Sequence, residues 1–413
     1  MPPSFAAKLS VRKDCYLHAQ TPCASFGIMQ ITLSAAIALF SAAGQALAVP
    51  APTLSADEIL QQLNSQSLIA LNSTSSAIAS RGCSLANAYA RRDWNNLSSC
   101  QRTAYIDAVQ CLMSKPSKAD PTFAPGAKTR YDDFVAVHIN QTLSIHGTGN
   151  FLTWHRYFTW AYETALRDEC GYKGAQPYWN WFDGKDFASS PLFDGSPTSM
   201  SGDGSFVQHN GSLSGTNNIF LPSGNGGGCL KDGPFVNMTA NLGPVSPGMD
   251  GLAASATGPL GPNPRCLRRD LTKYSIDTWM TASNLLNVTV GAASVSVETF
   301  QNELQGRFGD QFLGMHAAGH FVMGGDSSDL FSSPSDPIFF LHHAMVDRLY
   351  WVWQALHLDI AKNIAGTITI LNTPPSRDAL LTDVINLGVN APETTIGDSL
   401  STLGGTPFCY YYL

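Results

Sequence analysis

The chain has 413 residues, enough for one large domain with a dry interior. Hydrophobic residues make up 44% and charged residues only 13%, about half the roughly 25% of an average domain, so neutral polar groups carry much of the surface. A net charge of −7 with no basic stretch excludes a nucleic-acid partner, and no segment offers the about 20 uninterrupted apolar residues of a membrane span.

In chain order, residues 1–48 predict an N-terminal extension and a secretory signal peptide. The apolar run from Met29 is interrupted by Gly44 and Gln45 and ends in Ala46-Leu47-Ala48, a small-residue cleavage signature, with Met29 as an alternative start. Sequons at Asn72, Asn96, Asn140, Asn210, Asn237 and Asn287 agree with export. Beyond residue 48 stand Cys83, Cys100, Cys111, Cys170, Cys229, Cys266 and Cys409 with no CxxC pair, which predicts up to three disulfides and one leftover thiol. The expectation is a secreted protein whose residues 49–413 form a single domain.

Residues 55–115 alternate in a loosely helical way. One helix is expected from about Tyr131, with Phe134 and His138 on the same face. Another follows Asn150, where Leu152, His155, Thr159, Tyr162 and Leu166 step by three and four. From about Gly195 to Pro264 the Gly-, Ser-, Asn- and Pro-rich chain reads as surface loops. Val288-Thr-Val and Ser294-Val-Ser-Val predict short strands, and a helix then runs to Met323 and stops at Gly324-Gly325. Asp336-Pro337 opens a helix carrying Phe339, His343, Val346, Tyr350 and Trp353 on one stripe, and Thr367–Leu371 predicts a late strand. The fold class is mainly α, with helices around a centre and long loops outside.

Ten histidines are present, and seven fall in two windows. His138, His146 and His155 lie in the first; His316, His320, His342 and His343 lie in the second. His316 and His320, four apart on a helix, leave one face and can share a metal. An all-imidazole shell suits copper, zinc, iron or nickel. His316-Ala-Ala-Gly-His320 lacks the Glu that a zinc protease places after its first histidine. His18, His209 and His357 read as ordinary hydrogen-bonded histidines.

Asp336-Pro-Ile-Phe-Phe-Leu-His-His-Ala-Met-Val-Asp-Arg348 closely resembles the second copper-binding signature of tyrosinases, catechol oxidases and hemocyanins. His146-Gly-Thr-Gly-Asn-Phe-Leu-Thr-Trp-His155-Arg-Tyr resembles the first, and the resemblance spans roughly Cys83 to Cys409. It implies a type 3 dicopper centre inside a four-helix bundle, in a short fungal-type form. By position the first copper takes His138, His146 and His155, and the second takes His316, His320 and His343. His342 then reads as a core histidine or proton relay. Asp347, one turn beyond His343, is expected to orient a ligand imidazole or to pair with a base such as Arg348. Phe339 is expected to pack on the ligand rings.

The resemblance implies two copper ions as cofactors, with small phenols and dioxygen as substrates: catechols oxidised to ortho-quinones while dioxygen is reduced to water. Departures from the pattern narrow this. Hydroxylating relatives often carry a Glu that holds a water near the coppers and an Asn directly after the first ligand of the second copper. Here the water-site position holds Gln305 and the other Ala317, which favours ortho-diphenol oxidation over monophenol hydroxylation. Glu303 and Glu298 are the carboxylates that would serve under a shifted alignment. Ser144 stands where some relatives form a cysteine–histidine thioether. Leu330 corresponds to a gate above the site, and Phe321 is expected at the entrance. Cys409-Tyr-Tyr-Tyr-Leu413 resembles the tyrosine-rich end of the catalytic domain, without the C-terminal lid of latent relatives. The rival readings are a tyrosinase, an ortho-aminophenol oxidase, a hemocyanin-like oxygen carrier and, remotely, a dizinc hydrolase.

Overall fold

Periodic aromatic and aliphatic stripes build the helices of the computed structural model, which describes residues 54–78, 82–215 and 219–413. The expected signal peptide lies outside the described residues. The helices are α1 (Ala56–Ile78), α2 (Ser99–Ser114), α3 (Arg130–Ile145), α4 (Phe151–Cys170), α5 (Tyr274–Trp279), α6 (Ala282–Thr289), α7 (Val297–Gln305), α8 (Gly314–Met323) and α9 (Ile338–Leu356). None is long and apolar enough to cross a membrane.

Four of them, α3, α4, α8 and α9, hold the histidine windows. A reciprocal cap starts α3: Thr129 Oγ1 accepts from the Asp132 amide, and the Asp132 carboxylate accepts from the Thr129 amide. Gly171, left-handed at φ 71°, ends α4. Every residue of α9 from Ile338 to Trp353 is buried, which makes it the central helix rather than a one-striped surface helix. It packs on α4 and α1. Its start is fixed by Asp336, whose Oδ1 accepts the Ile338 amide at 3.0 Å while Arg269 binds both carboxylate oxygens at 2.7 Å. The helix begins one residue later than expected, with Pro337 at the cap.

All three strand expectations fail. Val288-Thr-Val ends α6 and its following turn, and Ser294-Val-Ser-Val spans a 3-10 turn and the start of α7. Ser296 caps α7, and the Ser294 carbonyl accepts the Trp353 indole N–H at 2.8 Å, so packing on α9 overrides a weak β-branched signal. The expected long helix to Met323 is two, α7 and α8, broken at Gly306 and Gly314, both at positive φ. Thr367–Leu371 makes one bridge, Thr367 with Asp378, and then a 3-10 turn with Leu371 at φ 49°.

The described residues of the 195–264 region are loop with short antiparallel pairings, 204–206 with 227–230 and 212–214 with 219–221. Disulfides join Cys83–Cys409, Cys111–Cys170 and Cys229–Cys266. Cys100 is also disulfide-bonded, so the expected leftover thiol is not among the described cysteines. The parallel pairing of Tyr89–Arg91 with Tyr410–Tyr412 sits beside the Cys83–Cys409 bridge.

Candidate metal centre

His138 lies in the middle of α3, His146 directly after its last residue, and His155 at the start of the second turn of α4. Their ring centroids are 5.2 Å (138–146), 4.9 Å (146–155) and 5.8 Å (138–155) apart. Each ring is oriented by a backbone carbonyl facing Nδ1: Phe331 O for His138 at 2.6 Å, Thr142 O for His146 at 3.0 Å and Phe151 O for His155 at 2.8 Å. Donation from Nδ1 leaves Nε2 with its lone pair. Nε2 of His138 and of His155 is buried with no hydrogen-bond partner.

On α8, His316 and His320 share a face, and His343 reaches the same point from α9. Nε2 of His320 lies 3.3 Å from Nε2 of His316 and 3.3 Å from Nε2 of His343. Within each cluster the ligand atoms lie within 4.8 Å of one another. The clusters touch: His155 stacks on His343 at 4.5 Å, and His146 lies parallel to His316 at 6.1 Å.

His342 belongs to the second cluster by distance, but its ring is committed differently. Its Nε2 faces the His316 carbonyl at 3.0 Å and it packs on Trp181. Its Nδ1 edge presses on α8 at Gly319, where a Cβ would come within 2.4 Å of it, so only glycine lets the two helices meet. Burial lowers the pKa of all seven histidines, that of His146 to about 4 and that of His342 to about 3. They are neutral near pH 7, the form that binds metal. Buried, neutral, nitrogen-only and partly unpartnered, the two sets fit a pair of imidazole-loving metal ions.

A cavity of about 1220 Å³ opens beside His146, His316 and His320. Gln305, Ala317, Phe321 and Leu330 line it, and Leu330 is 41% exposed. Phe339 does not line it; it is fully buried beneath the rings, stacked on His343 at 4.1 Å and edge-on to His138 at 5.2 Å. Of the nearby carboxylates, Glu303 pairs with Arg307 and accepts from Asn287, and neither it nor Glu298 lines this cavity. Among the lining residues the one carboxylate is Asp250, held by the Asn210 amide at 2.8 Å.

Asp347 does not orient His343, whose Nδ1 has no partner, nor does it pair with Arg348. Its Oδ1 accepts from Arg156 at 2.6 Å; its Oδ2 accepts from Arg91 at 3.2 Å, Tyr410 at 2.5 Å and Tyr412 at 2.6 Å. All its acceptor capacity is spent on a buried network behind the site.

Sequence reasoning missed Asp329 and the Phe331 carbonyl. The Asp329 carboxylate accepts the amides of Val245, Ser246, Phe331 and Ser332, which fixes the loop that carries Leu330 and presents Phe331 O to His138. The only signal was an acidic residue in a Ser-rich turn.

Two neighbouring clusters of buried histidines, carried by α3, α4, α8 and α9, define a dinuclear metal protein of the type 3 copper class. Residues 128–356 match the family described as the common central domain of tyrosinase. The chain is 41% identical to the tyrosinase-like protein orsC of Emericella nidulans, over 70% of this chain and 80% of that one. It is 38% identical to tyrosinase P of Aspergillus terreus (78% and 91% covered) and 36% identical to the N-acetyl-6-hydroxytryptophan oxidase ivoB of Emericella nidulans (80% and 93%). Its structure superposes on a variant of the polyphenol oxidase from Thermothelomyces thermophila with a TM-score of 0.79, at 41% identity, covering 86% and 97% of the two chains. The chain belongs to the tyrosinase family. It is an oxidoreductase, a copper-dependent phenol oxidase that acts on phenolic substrates with dioxygen.

Proposed function

We propose that this chain is an ortho-diphenol oxidase, with one copper held by His138, His146 and His155 and the other by His316, His320 and His343. Copper bound there supplies the two-electron redox chemistry, so that two catechols and one dioxygen give two ortho-quinones and two waters. The protein contributes orientation and access. Carbonyl-anchored imidazoles stay neutral and fixed, and Phe339 keeps water from beneath the rings.

The observation that carries the choice of substrate is the polarity of the cavity wall. Gln305 Oε1 accepts from the Gly147 amide at 2.8 Å, the Ala317 side chain has no polar atom, and the one carboxylate among the lining residues, Asp250, is exposed and bonded through Oδ2 to Asn210. Neither Gln305 nor Ala317 supplies a base to a monophenol, a weak acid that must lose its proton to bind, whereas a catechol would rely less on such a base. An ortho-aminophenol offers the same two-point contact and is the nearest rival. An oxygen carrier fits less well, because the cavity admits a phenol to His146, His316 and His320. A dizinc hydrolase fits less well, because among the described residues neither histidine cluster includes a carboxylate. Oxygen uptake by copper-loaded protein given 4-tert-butylcatechol and 4-tert-butylphenol in parallel tests the reading. Fast uptake with the catechol and little with the phenol is expected; comparable rates would make it a tyrosinase.

We place Leu330, Phe321 and Ala317 against the substrate, with Leu330 at the mouth. Leu330→Ala should raise kcat/KM for bulky catechols relative to catechol itself, and unchanged selectivity would remove Leu330 from the gate. We also infer a secreted glycoprotein with residues 49–413 as one catalytic domain. Asn72, Asn96, Asn140, Asn210 and Asn237 are exposed, and the described disulfides suit an oxidising compartment. A mass shift of medium-derived protein on glycosidase treatment checks this.

A further inference from the structure

We propose that Gln305 is a positioning residue for His146, a strut between the two halves of the metal centre; this rests on the ligand assignment above. His146 is the one imidazole of the proposed set that lies outside a helix. It follows α3 in extended backbone, φ −121° and ψ 140°, and Gly147 turns left-handed at φ 57°. Its ring hydrogen bond runs back to Thr142, but the loop 146–150 has to be fixed from outside. The side chain at position 144 gives no help, since Ser144 Oγ bonds its own helix at the Gln141 carbonyl, 2.9 Å away.

Three hydrogen bonds supply the fixing. The Gly147 amide donates to Gln305 Oε1 at 2.8 Å, the Leu371 amide donates to the Gly147 carbonyl at 3.0 Å, and the Gly149 amide donates to the Thr367 carbonyl at 2.9 Å. Gln305 is the single side chain among them. It is the last residue of α7, which packs on α8, the helix of His316 and His320. Its amide thus joins the loop of one histidine triad to the scaffold of the other, and His146 lies 6.1 Å from His316 across that joint. Gln305 is 9% exposed, so its oxygen has little water to fall back on. A neutral acceptor does this without adding charge beside the cavity. A carboxylate would hold the same N–H; an alkyl chain of equal length would not.

The test uses the full mature protein, stripped of copper by chelation and titrated with copper against a competing chelator. Q305L should lower copper affinity about 10- to 100-fold at one of the two sites, the range for losing a group that orients a metal ligand. Q305E should retain wild-type affinity at both. In metal-free wild type the Gly147 amide should be protected from hydrogen exchange, and in Q305L that protection should fall while the melting temperature of the apo-protein holds. Wild-type affinity of Q305L at both sites overturns the proposal, as does equal loss in Q305E and Q305L. An unprotected Gly147 amide in wild type overturns it too, with no variant required should Q305L fail to fold. The ligand assignment fails separately, if His146→Ala binds two coppers with wild-type affinity.

Discussion

His316→Ala is expected to abolish oxidation of 4-tert-butylcatechol and to lower bound copper by half or more, read by metal analysis of the folded, copper-loaded variant. His316 brings its Nε2 to 3.3 Å from that of His320, and the two rings share α8 with His343 opposite. Without it the second triad is two imidazoles, and two neutral nitrogens hold copper far more weakly than three. His316 also lines the cavity proposed to admit the phenol, and its ring lies 6.1 Å from that of His146 of the other triad. One substitution therefore reaches the second metal, the substrate face and the boundary between the triads. The fold should survive, because the His316 main-chain carbonyl, which holds His342, is untouched. Full copper retention would sink the assignment.

Asp347→Ala is expected to cost stability rather than chemistry, about 3–5 kcal/mol, the range for stripping one partner from a buried ion pair. Arg91 and Arg156 are completely buried; the loss leaves Arg156 without a carboxylate partner and Arg91 with Glu163 alone. Tyr410 and Tyr412 lose their acceptor as well. Burial alone would raise the Asp347 pKa, but Arg156 and Arg91, with the two tyrosine hydroxyls, outweigh it and hold the carboxyl below its ordinary value. A depressed folded-state pKa contributes stability that is fully present above the unfolded value near about 3.9 and is lost as pH falls through the folded one. Denaturant unfolding from pH 7 down into the acid range should show wild type and variant converging below the ordinary carboxylate range. An Asp347→Ala protein as stable as wild type at pH 7 would contradict this account.

The helices that carry the centre were legible because they are long, aromatic and periodic: Tyr131, Phe134 and His138 on α3, and Leu152 through Leu166 on α4. So was the joint placement of two histidine triads, which spacing and signature both encode. The carbonyls that aim the rings were not, since any residue supplies a carbonyl and Phe331 reaches His138 from 193 positions away. Asp347 was misplaced for the same reason: its true partners, Arg91 and Arg156, stand 256 and 191 positions off, whereas His343 is one turn away on its own helix. Val288–Val290 and Ser294–Val297 misled because short β-branched runs have no period long enough to separate strand from helix, and packing on Trp353 decided it.

The pairing of Tyr89–Arg91 with Tyr410–Tyr412 bears on the order in which the molecule is made. Arg91 leaves the ribosome 321 positions ahead of Tyr412, and Asp347 leaves it 65 ahead. Until that last strand emerges, one face of the central helix carries a charge cluster lacking two of its hydroxyl donors and its disulfide lock. Such long-range closure delays this cooperative step until Tyr410–Tyr412 has been made. The buried network behind the histidines thus closes only after residues from both ends of the described domain have met, so the support of the central helix is a late event in folding.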